Sequence, residues 1–269
     1  MASRGRTGWS WLLVIGVAIL LPAALTAADR TEAVDAAPET VELFSAIEAG
    51  QVEVRLIPKD STECRITVKN TTDKPLSVKL PATFGAVHVL AQFDMGAGMG
   101  GMDGGRGGRG GGGFGGGQSM GGGMGGMGMG GMGMGMGGGG MWNIPPEKVA
   151  KGRFPTVCLE HGKPDPRPSM TYKIVPLDQV TEKAGVEEVC GMLGTGQLNQ
   201  RVAQAAAWHL ANDMSWAELA AKQVRRVTGQ RYPYFSPFEI QAGMQAAGVA
   251  QKRAEEQQES SYQDSLTQR

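Results

Sequence analysis

The 269-residue chain is short of most features that announce a function. It has three cysteines, three histidines and only 6% aromatic residues. Neither charge is in excess, with 26 basic side chains against 26 acidic ones. Three cysteines cannot build the disulfide framework of a small secreted scaffold. Balanced charge gives no general pull toward nucleic acid or an anionic membrane surface. No His-Glu-x-x-His zinc helix and no Walker-type phosphate loop occurs. Arg106 and Arg109 flank two glycines in the manner of an RNA-binding RGG segment, but two arginines release too few counterions to hold a strand. Nucleic acid is therefore not an expected partner.

What is plentiful is glycine, and it is concentrated. Of 43 glycines, 29 fall within residues 95–141, together with 11 of the 16 methionines. Glycine maximises the entropy lost on ordering and offers no side chain to pack, so this segment reads as a disordered low-complexity insert. Within it Met127, Met129, Met132, Met134 and Met136 are spaced by glycine. Thioethers on a pliable backbone are soft ligands suited to Cu(I), which makes copper the one cofactor the sequence brings to mind. Methionine also serves as an adaptable apolar contact.

Residues 1–28 carry Arg4 and Arg6, an apolar run from Trp9 to Leu21, then Pro22 and a small-residue stretch to Ala28. That order is expected of a secretory signal peptide cut after Ala27 or Ala28. The protein is accordingly expected in the periplasm, the cell envelope or outside the cell. Only an uncleaved signal segment would tie it to a membrane.

Residues 29–40 read as a linker, and Val41–Ala49 as a short helix. Period-2 alternation follows, with Val52, Val54 and Leu56, then Cys64, Ile66 and Val68, then Leu76, Val78 and Leu80. Asn70–Pro75 is a strong turn signal. Val87, Val89 and Ala91 continue the pattern, leaving His88 outward. Beyond the insert, Lys148–Leu159 with Val157 and Leu159 inward and Tyr172–Val175 supply further strands. Residues 41–94 and 142–176 together predict an Ig-like antiparallel β-sandwich with the insert at a hairpin tip.

From residue 177 to 258 the period becomes helical. Helices are predicted over Asp178–Leu193, Gln197–Asn212, Ser215–Thr228 and from Ser236 to about Glu256, followed by a polar tail over 259–269. Ser215 with Glu218 and Ser236 with Glu239 are capping boxes. The fold class is thus α+β, a sandwich followed by a small helical domain. The runs Thr156–Lys163 and Ala205–Leu210 resemble uncharacterised secreted proteins of planctomycete-type bacteria. That resemblance implies an Ig-like strand domain with a short helical domain, and export; it implies no activity.

Candidate chemistry is sparse. Cys158 alternates away from Val157 and Leu159 and is expected to meet Cys190 in a disulfide joining the two halves. Cys158 and His161 are the weaker alternative, as nucleophile and base of a hydrolase or as metal ligands with His209. No catalytic residue is assigned. Tyr232-Pro233-Tyr234-Phe235 is the best exposed-aromatic candidate for a partner. The leading expectation is a non-enzymatic structural or interaction protein of the cell envelope, with an unidentified protein or envelope component as its partner, and soft-metal binding second. If the methionine ladder binds copper, Cu(I) titration will show uptake by the full chain that is lost without the ladder; equal uptake by both refutes it.

Overall fold

Why a chain with short alternating strands closes into a barrel is answered by its glycine segment. The computed structural model describes residues 38–89, 117–125, 140–225 and 227–267. The signal segment, most of the linker and the five ladder methionines lie outside those residues. In chain order the strands are β1 (Glu39–Glu42), β2 (Val52–Pro58), β3 (Glu63–Asn70), β4 (Leu76–Lys79), β5 (Thr83–His88) and β6 (Met120–Gly123). They continue as β7 (Met141–Ile144), β8 (Val149–Cys158), β9 (Tyr172–Val175), β10 (Gln223–Arg225) and β11 (Arg231–Pro233). The helices are α1 (Leu43–Glu48), α2 (Val186–Gly194), α3 (Gln200–Asn212), α4 (Trp216–Ala221) and α5 (Pro237–Thr267).

Six strands form a closed antiparallel barrel in the order β2-β3-β8-β6-β5-β9, which corrects the expected Ig-like sandwich. Alternation specifies which face of a strand is buried, and that face is the same in an open sandwich and a closed barrel. What decides between them is the missing strand, and the insert contains it. β6 pairs with β5 on one side, Gly121 opposite Gly85, and with β8 on the other, Met120 opposite Cys158. Closure is completed by β9, which pairs with β5 over four residues and meets β2 where Tyr172 lies opposite Leu56. Residues 117–125 are therefore barrel wall, not appendage.

The glycines of β6 are there because nothing larger fits. A Cβ on Gly122 would stand 2.5 Å from the Phe84 ring inside the barrel. A Cβ on Gly123 would stand 2.2 Å from the Cys190 carbonyl oxygen and 2.5 Å from the Gly194 Cα. Helix α2 thus lies on the outer face of β6 with backbone against backbone. The apolar share of the strand comes from Met120 and from Met124 just beyond it, both buried in the barrel core with Ile66, Phe84 and Phe154.

A second sheet, β1-β4-β7, adds Leu76, Val78 and Ile144 to the same core. Its β1 runs parallel to β4 and occupies Glu39–Glu42, so the first helix begins at Leu43 instead of Val41. Buried Asn70 holds the turn signalled by the sequence. Its amide donates to the carbonyls of Lys74 and Ile144, and its Oδ1 accepts from the Thr72 backbone and hydroxyl. In β5 the inward residues are Phe84 and Ala86, while Val89 is exposed, one residue out of step with the expectation. His88 is half-buried, its Nδ1 accepting from the Gly117 N–H.

The described residues belong to one compact unit. Val157 of β8 and Leu159 just beyond its end share an apolar cluster with α2, α3 and α5, so the helices are built onto the barrel wall. Helix ends depart from the periodicity for local reasons. Gly185, with φ +81°, separates a single 3-10 turn at Leu177–Gln179 from α2. The capping box at Ser215 forms, but α4 stops at Ala221 and Gln223–Arg225 pairs with Arg231–Pro233 as a hairpin. No Gly or Pro interrupts 249–267, and α5 continues to Thr267 through the expected tail.

The packing makes a paired prediction. Gly123→Ala meets backbone that cannot yield and is expected to cost about 1–3 kcal/mol. Gly248→Ala, in α5 with nothing within 4 Å of the added Cβ, is expected to be neutral or to stabilise by up to about 1 kcal/mol. Urea unfolding midpoints of the two variants check both signs.

Candidate functional site

Cys158 and Cys190 do not pair; both are free thiols. Alternation did turn Cys158 away from Val157 and Leu159, but α2 lies on the Val157 side. Cys190 therefore packs with Val157 and Leu159, close above Gly121. Cys158 sits in another cluster, with Ala205, Trp208, Leu219 and Phe235. Burial, reinforced by Asp165, pushes the Cys158 thiol up to about 12. Burial with Glu187 nearby does the same to Cys190, also to about 12. Neither is a thiolate at neutral pH, and the nucleophile role considered for Cys158 has no ionised sulfur to use.

His161 instead meets Lys222, their Nε2 and Nζ 2.7 Å apart. Partial burial and then the Lys222 charge hold the imidazole below its ordinary pKa, and burial lowers Lys222 as well. With the ammonium donating, Nε2 is the unprotonated acceptor. Lys222 also lies 5.0 Å from the centre of the Trp208 ring and 5.4 Å from that of Tyr234. Arg201 lies over Tyr234 and Phe235, at 5.1 and 5.5 Å from the ring centres, and pairs with Glu239 at 2.7 Å. These contacts seal the helices onto the barrel end. Phe235 is buried and Tyr234 half-buried beneath a guanidinium, so the aromatic run is mostly seal and not an open platform. His209 stacks on Trp216 with its Nδ1 2.7 Å from the Met214 carbonyl oxygen, away from His161 and Cys158 as a set.

Helix α3 carries the polar part of that seam, which periodicity reading overlooked. Gln200, Gln204 and Asn212 lie at helical spacing along one side. The Gln204 amide accepts from the Cys158 N–H and donates to the Cys158 carbonyl, each at 2.9 Å, in the position β3 has vacated by ending. Gln200 donates to the Thr156 carbonyl, while Asn212 donates to that of Leu159 and accepts from the His161 N–H. The side-chain amides of α3 act as a substitute strand edge for β8.

The run Gly117-Gln118-Ser119-Met120-Gly121 matches a Gly-x-Ser-x-Gly pattern hidden in the low-complexity composition. It opens strand β6, whereas a nucleophile elbow turns from strand into helix. The Ser119 hydroxyl donates to the Glu160 carboxylate at 2.8 Å. Among the described residues no group of three or more His, Cys, Asp or Glu side chains is placed to hold a metal ion, and no helix is long and apolar enough to cross a membrane.

The arrangement with the clearest chemical character is on the outside of β2, β3 and β8. The residues between their inward positions point to solvent, and the pairing registers stack them in rows. Ile57, Arg65 and Arg153 form one row, Arg55, Thr67 and Lys151 the next, and Glu53, Lys69 and Val149 the third. Arg55, Arg65, Lys69, Lys151 and Arg153 are all exposed. Among the described residues none of the five forms an ion pair; the adjacent Glu63 is taken by Lys59. Arg65 stands directly opposite Arg153, an arrangement that costs stability because facing Cβ atoms in an antiparallel pair are only about 4.5–5.5 Å apart. Five guanidinium and ammonium groups on one surface concentrate positive charge there, and guanidinium geometry is suited to carboxylate and other oxyanions.

Comparison with protein-family models, with curated proteins and with solved structures yields no match.

The thiol assignment is directly measurable. All three cysteines are expected to resist alkylation in the native protein and to react together once denaturant is added, with no change when reductant is omitted. A Cys158–Cys190 peptide found by non-reducing mass mapping would contradict it.

Proposed function

We propose that the chain is an exported, non-enzymatic interaction protein of the cell envelope, and that the basic face of β2, β3 and β8 is its docking surface for an acidic partner. The observation that carries this reading is the like-charged facing pair Arg65–Arg153 within a group of five exposed cations, of which Lys69 alone faces a carboxylate, Glu53, across the sheet. Facing like charges are destabilising in a sheet, and an anionic partner turns that cost into attraction. The partner is recognised by charge placed on a fixed surface, since the strands are hydrogen-bonded on both sides within a closed barrel. Export rests on the segment 1–28, as the sequence alone implies it. With the whole chain near neutrality, attraction is confined to this face instead of spread over the molecule.

Exposed charges are screened beyond about 8 Å at physiological ionic strength. Binding of a fluorescent poly-L-glutamate to the full chain is therefore expected to weaken steeply between low and moderate salt. Arg65→Gln/Arg153→Gln is expected to weaken it at least about tenfold, or about 1.4 kcal/mol, and Lys252→Gln on α5 to leave it nearly unchanged. Equal binding by the double variant and the parent overturns the reading.

A further inference from the structure

Helix α5 is anchored in its first half and free in its second. Ile240, Gly243, Ala246, Ala247 and Ala250 are buried against the body, where α5 packs on α2, α3 and α4. From Glu255 to Thr267 every residue is exposed. That is about 13 residues, or about 20 Å of helix, standing away from the core. The last side-chain ties to the body are Arg253 and Gln257, both reaching Glu188.

The free arm has a definite chemistry. After Arg253 its charged residues up to Thr267 are Glu255, Glu256, Glu259 and Asp264. Glu255, Glu259, Tyr262 and Leu266 recur at spacings of four, three and four residues, which places them in one stripe of an α-helix. Tyr262 is 66% and Leu266 54% exposed. Two carboxylates followed by two uncovered apolar side chains therefore share a line along the arm.

The basic barrel face has the complementary content. Its cations lie between two exposed apolar side chains at opposite corners of the face, Ile57 at 40% and Val149 at 44%. The arm's carboxylates complement the charge of Arg55, Arg65 and Arg153, and Tyr262 and Leu266 bring uncovered apolar surface to a face that carries Ile57 beside Arg65 and Arg153. A continuous helix seated on α2 and α3 cannot turn back on itself without breaking, so the arm reaches outward. We infer that the acidic arm of α5 docks on the basic β2-β3-β8 face of a second copy, giving a head-to-tail assembly. The inference rests on the docking-surface reading above and names its occupant. Arm and face are different surfaces, so the contact is heterologous and extends into chains unless rotation closes a ring.

Sedimentation of the full-length chain over a range of concentrations and salt tests this. The expected result is association that grows with concentration and falls with salt. Arg65→Glu/Arg153→Glu alone and Glu255→Arg/Glu259→Arg alone should each weaken association at least tenfold, with unchanged circular dichroism. An equimolar mixture of the two should restore it, because each reversed surface finds its opposite in the other variant. Tyr262→Ala/Leu266→Ala should weaken association without altering its charge dependence. A parent chain that stays monomeric while still binding poly-L-glutamate overturns the self-docking and leaves the docking surface standing; loss of both overturns both. Association that survives either charge reversal, or a mixture that fails to restore it, assigns the contact to other surfaces and also overturns the proposal.

Discussion

Everything in this structure depends on the close approach of α2 to the three glycines of β6. That strand closes the barrel between β5 and β8, and it can do so only because it is thin on both sides. Phe84 fills the space inside that a Gly122 side chain would need, and the Cys190–Gly194 backbone fills the space outside Gly123. Met120 and Met124 add flexible apolar volume where the strand meets the core. Gly-Met composition is thus a packing solution over residues 117–125.

Once α2 is fixed on β6, the remaining helices follow. Val157 and Leu159 face the helices and Phe154 faces the barrel interior, so β8 belongs to both sides of the molecule. Where β3 ends, α3 takes over its hydrogen bonding through Gln204 and its neighbours. A buried backbone N–H or carbonyl left unpaired costs a large part of a domain's net stability, so this substitution is structural and not incidental. It also explains the fate of Cys158 and His161. Cys158 is buried at a seam closed by Trp208, Tyr234 and Phe235, where a thiol stays protonated, while His161 stands exposed at its edge beside Lys222.

The same closure leaves one stretch of wall uncovered by helices and strongly basic. Helix α5 carries the opposite charge away from the body on an arm that has no internal partner for its stripe. A chain with no net charge can therefore hold distinct regions of opposite sign, and those regions are placed by the pairing of β3 with β8 and by the length of α5.

The sequence by itself determined the alternating strands from Val52 to Leu80, the Asn70 turn, β9 and the capping boxes, because each rests on neighbours within a few residues. What only tertiary structure decided is which faces meet. Period-2 alternation is blind to closure, so a barrel read as a sandwich; the triple glycine of β6 has no amphipathic signal, so a wall strand read as an insert. Cys158 was turned correctly but α2 packed on the other side of β8. The facing of Arg65 and Arg153 is a fact of register, fixed by the hydrogen bonding of two strands far apart in the chain. Local preference reads short-range periodicity, whereas long-range pairing and the space available to a side chain exist only in the folded chain.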